Sequence, residues 1–344
     1  MASIPNFPVR DLKMKEITKL AHENWELPLP TLPSLVPVCE AFRANVARIR
    51  FLMLLPTSIA GGMALTQRAN DIAEFELTGS LVRDEISIPS DMRLRITARR
   101  LEMLGALNTE KLARMGQPDW DEEAGEFHFS AAKALDGLTD TATGAYGFLN
   151  MLVAHTTGTW TAIETMLGDL WEAALNTHPE ILSSLKGSAA RIKPYSAKGI
   201  SEQTSAKIER ELKSVPLALV EKHRFDLRSS MGSIFREQRR FEFTRLSSIR
   251  EAYATAFSEK AGRIDKALGN KALDELSAVR NVMIHRAGFA DEEYVAKLRR
   301  LDVPKGELGK PILLDGENVA KLIRNAIGAS KELIDAVEDW INQH

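Results

Sequence analysis

Apolar residues recurring at three- and four-residue steps over long stretches constrain this chain more than any other feature. Between Ala145 and Asn176, residues Phe148, Leu152, Trp160, Ile163, Leu167, Leu170 and Trp171 share one face of a 3.6-residue repeat. Between Val319 and Ile341, residues Leu322, Ile323, Ile327, Leu333, Ile334, Val337 and Trp340 do the same. Stripes of this kind are stable when buried against other helices. Alternation with a period of two is confined to short patches: Phe75-Glu76-Leu77, Ile86-Ser87-Ile88 and Glu126-Phe127-His128-Phe129. Lys305 to Gly316 has Pro and Gly turns around Ile312-Leu313-Leu314, the pattern of a short hairpin. The predicted fold class is therefore all-α with minor β. The character changes to long helices from about Thr141. That predicts a helical domain over residues 141–344, preceded by a mainly helical accessory domain over residues 1–140. No internal repeat, Walker-type phosphate loop or Gly-x-Ser-x-Gly elbow occurs in the sequence, so NTPase and serine-hydrolase readings lack support.

The chemistry gathers at one helix end. In residues 271–290, Leu273, Leu276, Val279 and Met283 form an amphipathic stripe. At its end stand Arg280, Asn281 and His285, and Gly288 then predicts the stop. Asn281 and His285 are four apart and share a helical face. Arg280 lies about 140° around a straight helix from His285. A bend at the helix end, or a second copy of the helix across a two-fold axis, is needed to bring those two together. The residue types suit phosphodiester cleavage. Histidine titrates near neutrality and can move a proton. A guanidinium stays charged, grips phosphate with two N–H groups and can stabilise a phosphorane. Asparagine can orient the imidazole or a phosphate oxygen. With the ribose 2′-OH as nucleophile no metal is needed, and the substrate is restricted to RNA. A plainer reading also stands: His285 caps the carbonyls of a helix C-terminus, and Arg280 is a surface or ion-pairing residue.

The run from Glu275 to Tyr294 resembles the HEPN superfamily (higher eukaryote and prokaryote nucleotide-binding domains). Many of those domains carry Arg-x4–6-His with Asn directly after the Arg; here that pattern reads Arg280, Asn281, His285. The preceding Leu-Ser-Ala-Val and the following Arg-Ala-Gly-Phe-Ala-Asp also look like the family. The resemblance implies an all-helical bundle and a homodimer whose two motifs face a shared cleft. For active members it implies metal-independent RNA cleavage without a cofactor, with Arg280, Asn281 and His285 as the catalytic group. It further implies a toxin–antitoxin or antiviral defence setting, with an antitoxin or defence protein as partner. In such folds a polar residue on an early helix often lies near the motif, which points to Glu164 as a companion of Arg280; a helix-surface acid is the plainer reading. Relatives that keep the fold without catalysis make a non-catalytic RNA- or nucleotide-binding or dimerisation module the alternative function.

Composition limits the rest. Hydrophobic residues make up 44% and charged residues 27% of the 344, a globular balance. The net charge of −2 does not suit a strongly basic nucleic-acid binder, so RNA contact needs a local patch. The candidates are the basic loop at 188–203, Arg236, Arg239, Arg240 and Arg245, with Arg286 beside the motif. Phe235, Phe241, Phe243 and Tyr253 interleave with these arginines. Such rings could stack on bases, but at helical spacing they read as core. Arg93, Arg95, Arg99 and Arg100 read as a solvated helix face. Asp119, Asp121, Glu122 and Glu123 read as a solvated loop without metal-ligand spacing. The single cysteine, Cys39, excludes an intramolecular disulfide and a cysteine-rich zinc site. No secretory pattern opens the chain, and a soluble cytoplasmic protein is expected. The most apolar stretch, Phe51 to Thr66, holds Pro56 and Gly61-Gly62 and falls short of a membrane span. It predicts a buried helix, or a helix pair broken at Pro56.

Overall fold

The computed structural model describes residues 12–27, 29–80, 88–114, 117–137, 141–185, 215–238, 241–257 and 260–344. The first helices are α1 (Met14–His22), α2 (Val36–Thr78), α3 (Ser90–Arg114), α4 (Trp120–Asp136) and α5 (Ala142–Thr177). The short α6 (Pro179–Leu182) follows, then α7 (Leu217–Lys222), α8 (Leu227–Glu237) and α9 (Leu246–Ala256). The chain closes with α10 (Gly262–Leu268), α11 (Lys271–His285), α12 (Glu292–Lys297) and α13 (Gly316–Asn342). The all-α class is as predicted. The β patches are not. Residues 75–77 continue α2 and residues 126–129 belong to α4, where Phe127 packs onto the bare backbone of Gly61. A few alternating residues do not outweigh a helical partner of that shape. Ile86 and Ser87 lie outside the described residues. Residues 305–316 form no hairpin with themselves. They run beside the chain that leaves α11: Ala290 N–H donates to the Lys310 carbonyl and Ile312 N–H to the Gly288 carbonyl, each at 2.9 Å. Phe289 and Pro311 make the isolated bridge there.

The helix α5 organises the core. It starts where the Thr141 side chain accepts a hydrogen bond from Gly144 N–H, a normal N-cap. It buries Leu152, Trp160, Ile163, Leu167, Leu170 and Trp171 and packs against α2, α8, α9, α11 and α13. Two buried polar groups are satisfied by backbone. The Trp171 indole N–H donates to the Ala252 carbonyl at 3.1 Å, and Tyr253 O–H donates to the Leu167 carbonyl at 2.7 Å. Phe241 and Phe243 meet the Trp171 ring, and Phe257 stacks on Tyr253. These aromatics belong to the core, as their spacing predicts.

Packing does not part the chain at residue 140. One buried cluster joins Met14, Ile17 and Leu20 of α1 and Cys39, Phe42 and Val46 of α2 to the apolar faces of α5 and α13. Without α1 and the first turns of α2, those faces would meet water. A small second cluster of Ala73, Ile88 and Ile96 joins the far half of α2 to α3. The change in packing therefore falls along α2.

Of the two alternatives at Pro56, a single helix or a broken pair, the single helix is found: α2 runs unbroken for 43 residues. Pro56 has no N–H to donate, so the Leu52 carbonyl loses its helical donor. The helix persists because Met53, Thr57 and Gly61 are buried along its inner face. Its outer face is not buried. Phe51, Leu52, Leu55, Ile59 and Met63 stand open, which corrects the expectation of a buried helix. By length and composition α2 could cross a membrane, and only 22% of its apolar window is buried.

Candidate functional site

The helix α11 is held at both ends. Asn270 Oδ1 accepts from Ala272 N–H at 3.1 Å and caps the start. Leu273, Leu276, Val279 and Val282 are buried against α5 and α13. The buried Glu275 accepts from Asp302 N–H at 3.0 Å and ties down the chain after α12. At the other end, Arg286 N–H and Gly288 N–H both donate to the Val282 carbonyl at 3.0 Å. Ala287 and Gly288 adopt φ values of 49° and 84°, the left-handed reversal for which glycine is suited. The stop at Gly288 is as predicted.

At that end the three motif residues meet. Arg280 Nη1 donates to Asn281 Oδ1 at 3.0 Å and lies 3.5 Å from His285 Nε2. No second helix and no sharp bend is required; the length of the arginine side chain closes the angle. A guanidinium carries only donors, so a hydrogen bond across this contact requires Nε2 to be the acceptor. Arg280 Nε is buried and has no partner, which leaves its Nη1 to serve both neighbours. Arg280 and Asn281 are half-buried, whereas His285 is exposed. A proton-moving group thus stands at the surface against a cation that is partly shielded from water.

Glu164 lies on α5, where the charge of Arg280 acts on it. Burial pushes its carboxyl above the usual range, while the charge of Arg280 and a hydrogen bond from Trp160 act the other way. Glu164 and Arg280 make no ion pair among the described contacts; the charge of Arg280 acts on Glu164 only as a weaker counterweight to burial. Arg286, in the next turn, donates through Nε to Asp291 Oδ2 at 3.1 Å, and Asp291 caps α12 by accepting from Tyr294 N–H. Arg236 is held elsewhere along α5. Its Nη1 donates to Asp169 at 2.6 Å and to Glu172 at 2.7 Å, and its guanidinium lies over the Phe243 ring. Two carboxylates already neutralise it, which weakens its candidacy as a phosphate contact. Arg239, Arg240 and the basic loop at 188–203 lie outside the described residues. Among the described residues no group of three or more His, Cys, Asp or Glu is placed to hold a metal ion.

Two further histidines are shielded from water; of these, His155 reads from the sequence as a structural residue without a partner at metal spacing, whereas the contacts of His128 were not anticipated. His128 Nδ1 lies 3.0 Å from His22 Nε2, and His128 Nε2 lies 3.2 Å from Ser58 Oγ, which links α1, α2 and α4. Burial, reinforced by His22 and Lys111, lowers the His128 pKa to about 4. His155 is deeply buried on α5, and burial alone lowers its pKa to about 4. Sequence spacing carries no signal for either, because the groups concerned are far apart along the chain or apolar.

Fold and site together define an all-α protein with an Arg-Asn-x3-His cluster at the exposed end of a buried helix. Comparison with protein-family models, with curated proteins and with solved structures finds no match to the chain.

Proposed function

We propose that the protein is a metal-independent endoribonuclease of HEPN type, cleaving RNA through the ribose 2′-OH at a cleft shared by two copies. The observation that supports it most is the 3.5 Å approach of Arg280 Nη1 to His285 Nε2 at a solvent-facing helix end. In this reading the bare Nε2 of His285 takes the proton of the 2′-OH. The 2′-oxygen then bonds to the adjacent phosphorus, and the bond to the 5′-oxygen breaks. The leaving oxygen takes its proton from the imidazolium of the second copy. Arg280 turns its N–H groups from His285 to the non-bridging oxygens, where negative charge develops. Asn281 holds the guanidinium in place. Ile284, exposed beside His285, offers the second copy an apolar contact, and Arg286 offers the RNA a charge. The same reading carries with it a cytoplasmic toxin or antiviral effector restrained by a partner protein.

The test is RNA cleavage by purified protein in EDTA, beside His285→Ala. Expected are 2′,3′-cyclic phosphate and 5′-OH ends, and loss of cleavage in the variant with its circular dichroism unchanged. Ends bearing 3′-OH, or equal cleavage by both proteins, would sink the mechanism. Binding of RNA without turnover would instead leave a non-catalytic module at the same cleft.

A further inference from the structure

The helix α4 packs chiefly against α1 and α2. Its fastenings include Phe127 resting on Gly61 of α2, and Asp136 Oδ1 accepting from Met14 N–H at 3.1 Å. Between them His128 bonds in both directions. Its Nδ1 lies 3.0 Å from His22 Nε2 of α1, and its Nε2 lies 3.2 Å from Ser58 Oγ of α2. One ring thus joins three helices.

A bond between two imidazoles needs a donor on one ring and a bare nitrogen on the other. The pair can therefore take one extra proton and keep its bond. A second extra proton sets N–H against N–H and cation against cation, and the bond must open. The surroundings resist that charge. Burial, His22 and Lys111 all oppose protonation of His128. From α3, Lys111 places its ammonium 6.0 Å from the Phe127 ring centroid. From α2 come the neutral Ser58 and Arg50, whose guanidinium donates to the carbonyl of Ala21, next to His22 in sequence. Glu23, on the other side of His22, is taken up by Arg324 of α13. From α4 itself, Phe129 meets the His22 ring and Phe127 the His128 ring.

We propose that the His22–His128 pair is an acid-sensitive clasp: protonation of both rings releases α4 from α1 and α2. Freed into water, His128 takes its proton near pH 6.5; in the clasp it does so only near about 4. Between those values the open form holds more protons. The clasp is therefore at full strength above pH 6.5 and weakens as pH falls to 4. At pH 4.5 its closing equilibrium should be about 50-fold less favourable than at pH 7. The proposal does not rest on the ribonuclease reading, since it uses other residues and a readout without RNA.

The test is amide hydrogen exchange of the full chain at pH 7 and pH 4.5, corrected for intrinsic rates. Protection of α4 should fall about 50-fold on acidification. His128→Phe and His128→Gln carry no titrating group there, and in both most of that difference should vanish. His155→Phe is the control for unfolding of the whole chain, and in it the response of α4 should persist. Three results would overturn the proposal: protection of α4 indifferent to pH, an equal loss in both His128 variants, or a loss cancelled by His155→Phe.

Discussion

At Arg280 the side chain itself decides whether a site exists. Ideal helical angles keep it away from His285, yet its outer nitrogen comes within 3.5 Å of the ring. Lysine in its place keeps the charge but loses the planar fork and the bond to Asn281. On the proposed ribonuclease reading, Arg280→Lys should cost about 10²-fold or more in single-turnover RNA cleavage while leaving the melting temperature nearly unchanged; cleavage at the parent rate would show that the guanidinium is not needed. His155 makes a different kind of prediction. Unfolded, it binds its proton near pH 6.5; folded, only near about 4. Between those values the unfolded state holds more protons, so the fold weakens as pH falls from about 6.5 to 4. The contribution is intact above 6.5 and amounts to about 3 kcal/mol when fully lost. Urea unfolding at pH 7 and pH 4.5, parent against His155→Phe, checks it: the variant should lose less stability on acidification. The identities of the motif residues were legible in the sequence. The depth of His155 was not, because nothing around it in sequence marks what packs over it.

Among the helices, α2 departs furthest from expectation. One of the two sequence readings broke the helix at Pro56, yet packing on α4 carries it through Pro56 and on through Gly61-Gly62. The two glycines should respond in opposite ways. A Cβ at Gly61 would come within 2.0 Å of the Phe127 ring, whereas one at Gly62 meets nothing within 4 Å. Gly61→Ala should destabilise by about 1–3 kcal/mol through overpacking. Gly62→Ala should stabilise by about 0.5–1 kcal/mol, because alanine loses less backbone freedom in a helix. Thermal melts of the two variants decide this, and equal shifts would mean that Phe127 does not rest on Gly61. On α11 the Asn270 cap is a smaller effect: Asn270→Ala should cost about 1 kcal/mol in a denaturant titration. That cap, the stripe behind it and the stop at Gly288 were all readable locally, since each depends on residues within one helix.

Across the whole molecule, stability is uneven in a way the chain order conceals. The main core takes in residues from Leu12 to Ile341, while α3 is held to α2 chiefly around Ala73, Ile88 and Ile96. Amide hydrogen exchange should therefore be fastest in α3 and slowest in α5 and α11, by orders of magnitude in rate; uniform protection would refute that ranking. The expected division at residue 140 followed a change in pattern along the chain, where loops give way to long helices. Packing ignored that change because α1, early in sequence, is needed to cover α13, the last helix. The sequence alone determined the all-α class, the α5, α11 and α13 cores and the residues of the motif. These follow from periodicity and caps, which act over a few residues. Only the tertiary structure decided that Arg280 reaches His285, that its charge acts on Glu164, that Arg236 is neutralised by Asp169 and Glu172, and that α2 turns an apolar face outward. Each of those depends on which distant surfaces meet, and burial, charge and side-chain reach are set by that meeting.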